Sequence, residues 1–108
     1  MIRHIVLFTA KEPEEIRCIE EGLSLLATNP HARHLEVGRN LKADRSSTEV
    51  DVIVYGEFDD EDALTAYKAH PIWAEATRRV KPLREMRVVA DWCAETALGR
   101  RELVKAAE

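Results

Sequence analysis

The 108-residue sequence is short of cysteine, glycine, aromatic side chains and long apolar runs. Each shortage argues against a class of protein. Its two cysteines, Cys18 and Cys93, stand far apart and match neither a CxxC redox pair nor a zinc-ligand spacing. Free thiols in a reducing, cytoplasmic compartment are therefore the expectation. No apolar run approaches the roughly 18 residues of a membrane helix, and the opening turns polar by Lys11, too soon for a signal peptide. Positive charge is also in deficit: 16 Lys and Arg against 20 Asp and Glu leave a formal charge of −4, which opposes a phosphate-backbone partner. Neither nucleic acid nor a membrane is expected as a partner. The acidic run Asp59-Asp60-Glu61-Asp62 lacks the alternating ligand spacing and turn glycine of a calcium loop, so it reads as helix capping. No metal and no cofactor are expected.

What the chain does contain suits one soluble domain, with 45% apolar and 33% charged residues. At this length, folding removes about 65% of the unfolded chain's surface from water. Ile2 to Phe8 is an apolar, β-branched run with Ile2, His4, Val6 and Phe8 on one face and Arg3, Ile5 and Leu7 on the other, so both sides should be covered. Pro13 with Glu14 and Glu15 marks a helix start, and Ile16, Ile19, Leu23 and Leu26 follow as one apolar stripe until Asn29-Pro30. Arg33 to Asn40 predicts a one-sided edge strand, and Lys42 to Glu49 a mobile polar loop. Val50 to Phe58 is a third strand, with Ile53 and Tyr55 facing away from Val52, Val54 and Phe58. The helix carrying Leu64 and Tyr67 must end or kink at His70-Pro71, because proline removes a donor and pushes the preceding residue out of the α region. A short basic-ended helix, Ile72 to Val80, resumes before Lys81-Pro82; those cations are a weak signal for an anionic ligand. Glu85 to Cys93 is the fourth strand, and residues 94–108 form a helical appendage or tail beyond a domain of residues 1–93.

The order β-α-β-β-α-β is the ferredoxin-like, split βαβ arrangement of the α+β class. It predicts a four-stranded antiparallel sheet with two helices on one face. The other face would present Ile5, Leu7, Ile53, Tyr55 and Val89. An apolar face of this kind implies a partner, and two copies packed sheet to sheet would make a homodimer, a dimeric α/β barrel.

Several stretches carry a family resemblance: Met1 to Phe8, Leu35 to Asn40, Gly56-Glu57-Phe58-Asp59-Asp60, Ala66-Tyr67-Lys68-Ala69-His70-Pro71 and Val88-Val89-Ala90-Asp91. In combination and order, over about residues 1 to 92, they resemble the stress-responsive α/β-barrel (Dabb) domain family. The resemblance implies a homodimeric barrel with a pocket between the helices and the sheet of each subunit. The family takes in the plant olivetolic acid cyclase, a cofactor-free polyketide cyclase whose Tyr-x-x-His-Pro-x-His pattern supplies a catalytic tyrosine and a final, catalytic histidine. Tyr67, His70 and Pro71 match that pattern, but Trp73 stands where the last histidine would be. An indole N–H only donates, so the same base is missing. His4, which matches a histidine lining the cyclase pocket, is the nearest substitute.

Strand alternation and the helix break place His4, Val6, Phe8, Tyr67 and Trp73 on one side of the sheet, as a mostly apolar binding site. His4, Tyr67 and His70 are the catalytic candidates, and Val6, Phe8 and Trp73 the ligand-contacting ones. Each has a structural reading beside it: a buried histidine satisfied by one hydrogen bond, a core tyrosine, a helix-capping histidine and a packing indole. Two functions follow. One is a dimeric protein that binds a small, mostly apolar or aromatic molecule without chemistry. The alternative is a cofactor-free lyase or cyclase acting on a polyketide-like or aromatic carbonyl compound.

Overall fold

The computed structural model describes residues 1–47 and 49–99. Four strands, β1 (Ile2–Ala10), β2 (His34–Arg39), β3 (Val52–Phe58) and β4 (Arg84–Cys93), form one antiparallel sheet in the order β2-β3-β1-β4. Three helices lie on one face: α1 (Ile16–Ser24), α2 (Glu61–Ala69) and α3 (Pro71–Val80). This is the ferredoxin-like architecture, with the second helical segment split in two at His70.

Each element begins where local chemistry allows it. Pro13–Glu15 is a single 3-10 turn with proline at its start, and α1 follows, then a second 3-10 turn at Leu25–Thr28. Asp60 caps α2 by accepting from the Ala63 amide at 2.8 Å. His70 ends α2 in an extended conformation and at once caps α3, its Nδ1 accepting from the Ile72 amide at 3.0 Å, while Pro71 occupies the first helical position, where no amide is needed.

The core sits between the helices and one face of the sheet. Val6, Phe8, Val52, Val54 and Phe58 pack there against Ile19, Leu23, Leu26, Leu64, Tyr67, Ala76 and Val80. The opposite face carries Ile5, Leu7, Ile53 and Tyr55, all half-buried. Here the pairing corrects one expectation. Val89 is opposite Val6 and shares the helix-side face, whereas Val88, opposite Leu7, is the residue on the open face with Ala90 and Trp92. Adjacent side chains on a strand alternate, so register decides between neighbouring valines of identical chemistry.

The loop after β2 is latched at its base. Asn40 donates to the Asp51 and Val50 carbonyls, and the Lys42 ammonium contacts the Asp51 carboxylate at 2.6 Å. A 3-10 turn at Arg45–Ser47 follows. At the other end of the chain, the buried Ala94 amide donates to the Met1 carbonyl at 2.9 Å. The expected appendage falls mostly on residues 100–108, outside the described residues.

Candidate functional site

A cavity of about 100 Å³ opens between α3 and the β1–β4 half of the sheet. Its floor is apolar: Val6, Phe8 and Val54 from the strands, and Leu23, Leu26, Ala76 and Val80 from the helices. The structure brings five of the six expected site residues to it, namely His4, Val6, Phe8, Tyr67 and Trp73. His70 is not part of the lining; its ring caps α3 and lies edge-on to His31 at 5.9 Å. The proline that makes position 70 a helix break also makes the imidazole useful there as a cap.

His4 is 1% exposed, and β1 aims it at the helices. Its Nδ1 lies 2.5 Å from Oδ1 of Asp91, the residue directly across the β1–β4 ladder. A carboxylate only accepts, so Nδ1 carries the proton and Nε2 keeps its lone pair. Nε2 has no hydrogen-bond partner among the described residues. Burial depresses the His4 pKa below its ordinary 6.5; the Asp91 hydrogen bond and charge oppose this, and burial prevails. At neutral pH the ring is therefore an oriented, uncharged base.

Tyr67 lies beside it, with ring centroids 6.2 Å apart and Phe58 edge-on to both. The tyrosine is 1% exposed, and burial raises its pKa, so the phenol stays a donor. No hydrogen bond of its hydroxyl occurs among the described residues. Its position is set by the backbone: the buried Asn29 amide donates to the Tyr67 carbonyl at 3.0 Å and holds the end of α2. Trp73, on the first turns of α3, is half-buried against the same cluster.

Three polar features were missed in the sequence. These are Asp91, which orients His4, and Arg84 and Arg87, which line the cavity; Lys81, in the basic stretch already noted as a weak signal for an anionic ligand, lines it beside them. The available signal was the ladder itself: an acid and a base alternating on β4 with apolar residues, on the strand face that also carries His4. Among the described residues, no group of three or more His, Cys, Asp or Glu is placed to hold a metal ion.

A four-stranded antiparallel sheet backed by helices, with a pocket between the layers, defines a ferredoxin-like α+β protein. The sequence profile of the stress-responsive A/B barrel domain (Dabb) matches residues 2–94, and the chain belongs to that family. Among solved structures it is similar to a dimeric ferredoxin-like protein of unknown function from Thermobifida fusca YX, at 28% identity and a TM-score of 0.73 over 85% of this chain and 89% of that one. A Dabb family protein from Mesorhizobium loti MAFF303099 is also 28% identical, with a TM-score of 0.71 over 91% and 97% of the two chains. Hydroxynitrile lyase from Passiflora edulis shares the fold, at 19% identity and a TM-score of 0.73 over 91% and 96%. A search of curated proteins finds no match.

Proposed function

We propose that this chain forms a homodimer through the open sheet face, and that each subunit binds a small, mostly apolar or aromatic molecule in the helix–sheet pocket. We further assign His4 as a general base toward that molecule and Tyr67 as the hydrogen-bond donor to its oxygen. The observation that carries the reading is the Asp91-oriented His4, which lines an apolar cavity and whose Nε2 has no hydrogen-bond partner among the described residues. Proton transfer from a carbon next to a carbonyl needs such a base and a donor to the developing oxyanion. Neither role requires a metal or cofactor. The dimer reading is supported by the Thermobifida relative, described as dimeric, and by the open face, where Val88 and Trp92 remain 46% and 38% exposed. A cytoplasmic location accords with two unpaired thiols.

The test is deuterium incorporation from D2O into phenylacetone next to its carbonyl, followed by NMR at pH 7. Acceleration that disappears in His4→Gln supports the base. A second reading, binding without chemistry, is favoured by Trp73 at the position where the family's cyclase has its catalytic histidine. Binding of the ketone with no accelerated exchange would select that second reading.

A further inference from the structure

We propose that the pocket's ligand carries a carboxylate, held at the mouth by Arg84 and Arg87 with Lys81 beside them, while its apolar body points toward His4 and Tyr67. The inference rests on the pocket being a ligand site, as argued above.

Strand alternation alone would put Arg84 on the open face with Met86 and Val88. The ladder shows otherwise. Met86 pairs with Thr9, but Arg84 pairs with Ala10, so two β4 steps oppose one β1 step. This bulge at Glu85 brings Arg84 to the face of Arg87, which is opposite Phe8, and both line the cavity. Lys81, just past the end of α3, completes a cationic rim over an apolar floor.

The charges of this rim are not consumed by ion pairs among the described residues. Arg17, Arg33, Arg39, Arg78 and Arg79 each form an ion pair with a carboxylate, whereas Lys81, Arg84 and Arg87 form none among the described residues. The nearby acid, Asp91, attracts Arg87 but spends its close contact on His4. Burial and the neighbouring Arg84 charge both disfavour the charged form of Arg87. An anion between the two guanidinium groups would relieve that repulsion. Planar guanidinium forks match the two oxygens of a carboxylate, and a cavity of this size admits a single ring or short chain behind it.

Benzoate and benzamide, matched in shape and differing in charge, test the idea by titration into 15N-labelled protein, with acetate as an anion lacking the ring. Benzoate is expected to shift the Trp73 indole and the Val6 and Arg87 amides, and to bind at least tenfold more tightly than benzamide. The double variant Arg84→Gln/Arg87→Gln should remove that preference, bringing benzoate affinity down to that of benzamide. Equal binding of the two probes to the pocket would overturn the carboxylate assignment and leave the pocket reading standing. No pocket shifts from either probe would overturn the pocket reading itself. Matching shifts from acetate and benzoate, confined to surface cations, would mark the anion as adventitious and likewise overturn the assignment.

Discussion

His4 and Tyr67 show how two buried polar side chains acquire different states from one environment. Burial favours the neutral form of both, so the imidazole loses its proton early and the phenol keeps its own. For His4 this has a consequence for stability. The unfolded chain takes up a proton near pH 6.5 and the native ring only at lower pH, so below 6.5 the unfolded state binds more protons. Stability therefore falls as pH drops through that window, with a slope of up to about 1.4 kcal/mol per pH unit from this one group, and levels off below the native pKa. In urea unfolding between pH 7 and 5, His4→Gln should flatten the slope relative to wild type. An unchanged slope would mean that the ring titrates alike in both states. Tyr67→Phe removes a hydroxyl that has no hydrogen-bond partner among the described residues. It should leave the melting temperature within a degree or two and weaken an oxygen-bearing ligand by about 0.5–1.5 kcal/mol, read by quenching of Trp73 fluorescence. A large drop in melting temperature with unchanged binding would make Tyr67 a core residue and not a binding one.

At the scale of elements, the pocket depends on how closely α1 and α3 approach over the sheet. Gly22 permits that approach: a Cβ built there would meet Cγ2 of Val80 at 2.9 Å. Gly38, on β2, would meet nothing within 4 Å. Gly22→Val should therefore cost about 1–3 kcal/mol of stability through overpacking, while Gly38→Ala stays within about 0.5 kcal/mol. Chemical denaturation distinguishes the two, and equal effects would mean that the helices separate without penalty. The α2–α3 junction is a second such point, because one imidazole caps α3 where proline has broken the preceding helix. His70→Ala should cost about 0.5–2 kcal/mol and His70→Asn much less, since asparagine is a good N-cap. If both substitutions instead left stability intact and abolished deuterium exchange, His70 would belong to the chemistry.

For the whole molecule, the open sheet face is the feature that one subunit leaves unresolved. It combines half-buried Ile5, Leu7 and Ile53 with exposed Val88 and Trp92, and it contains Arg3, whose Nε is buried with no hydrogen-bond partner among the described residues. A second copy would cover the first group and offer acceptors to the second. Light scattering should return the mass of a dimer at micromolar concentration. Ile53→Asp, which puts an unpaired carboxylate in the centre of the face, should yield monomer or unfolded chain. A wild-type monomer would remove this assembly.

The strands, the two helical segments and the break at Pro71 were all legible in the sequence, because they depend on periodicity and on proline chemistry acting over a few residues. The apolar side of the pocket followed from the same alternation, which sends His4, Val6 and Phe8 to the helix side of the sheet. The polar side did not. Asp91 meets His4 across 87 positions of sequence, and Arg84 turns toward the cavity only because a bulge shifts β4 against β1. The identity of the buried face at Val88 and Val89 was settled in the same way. Local pattern states which residues share a face of one strand. Which residues meet across two strands is a matter of register, set by the packing of the whole sheet, and the polar partners of this pocket could be found only there.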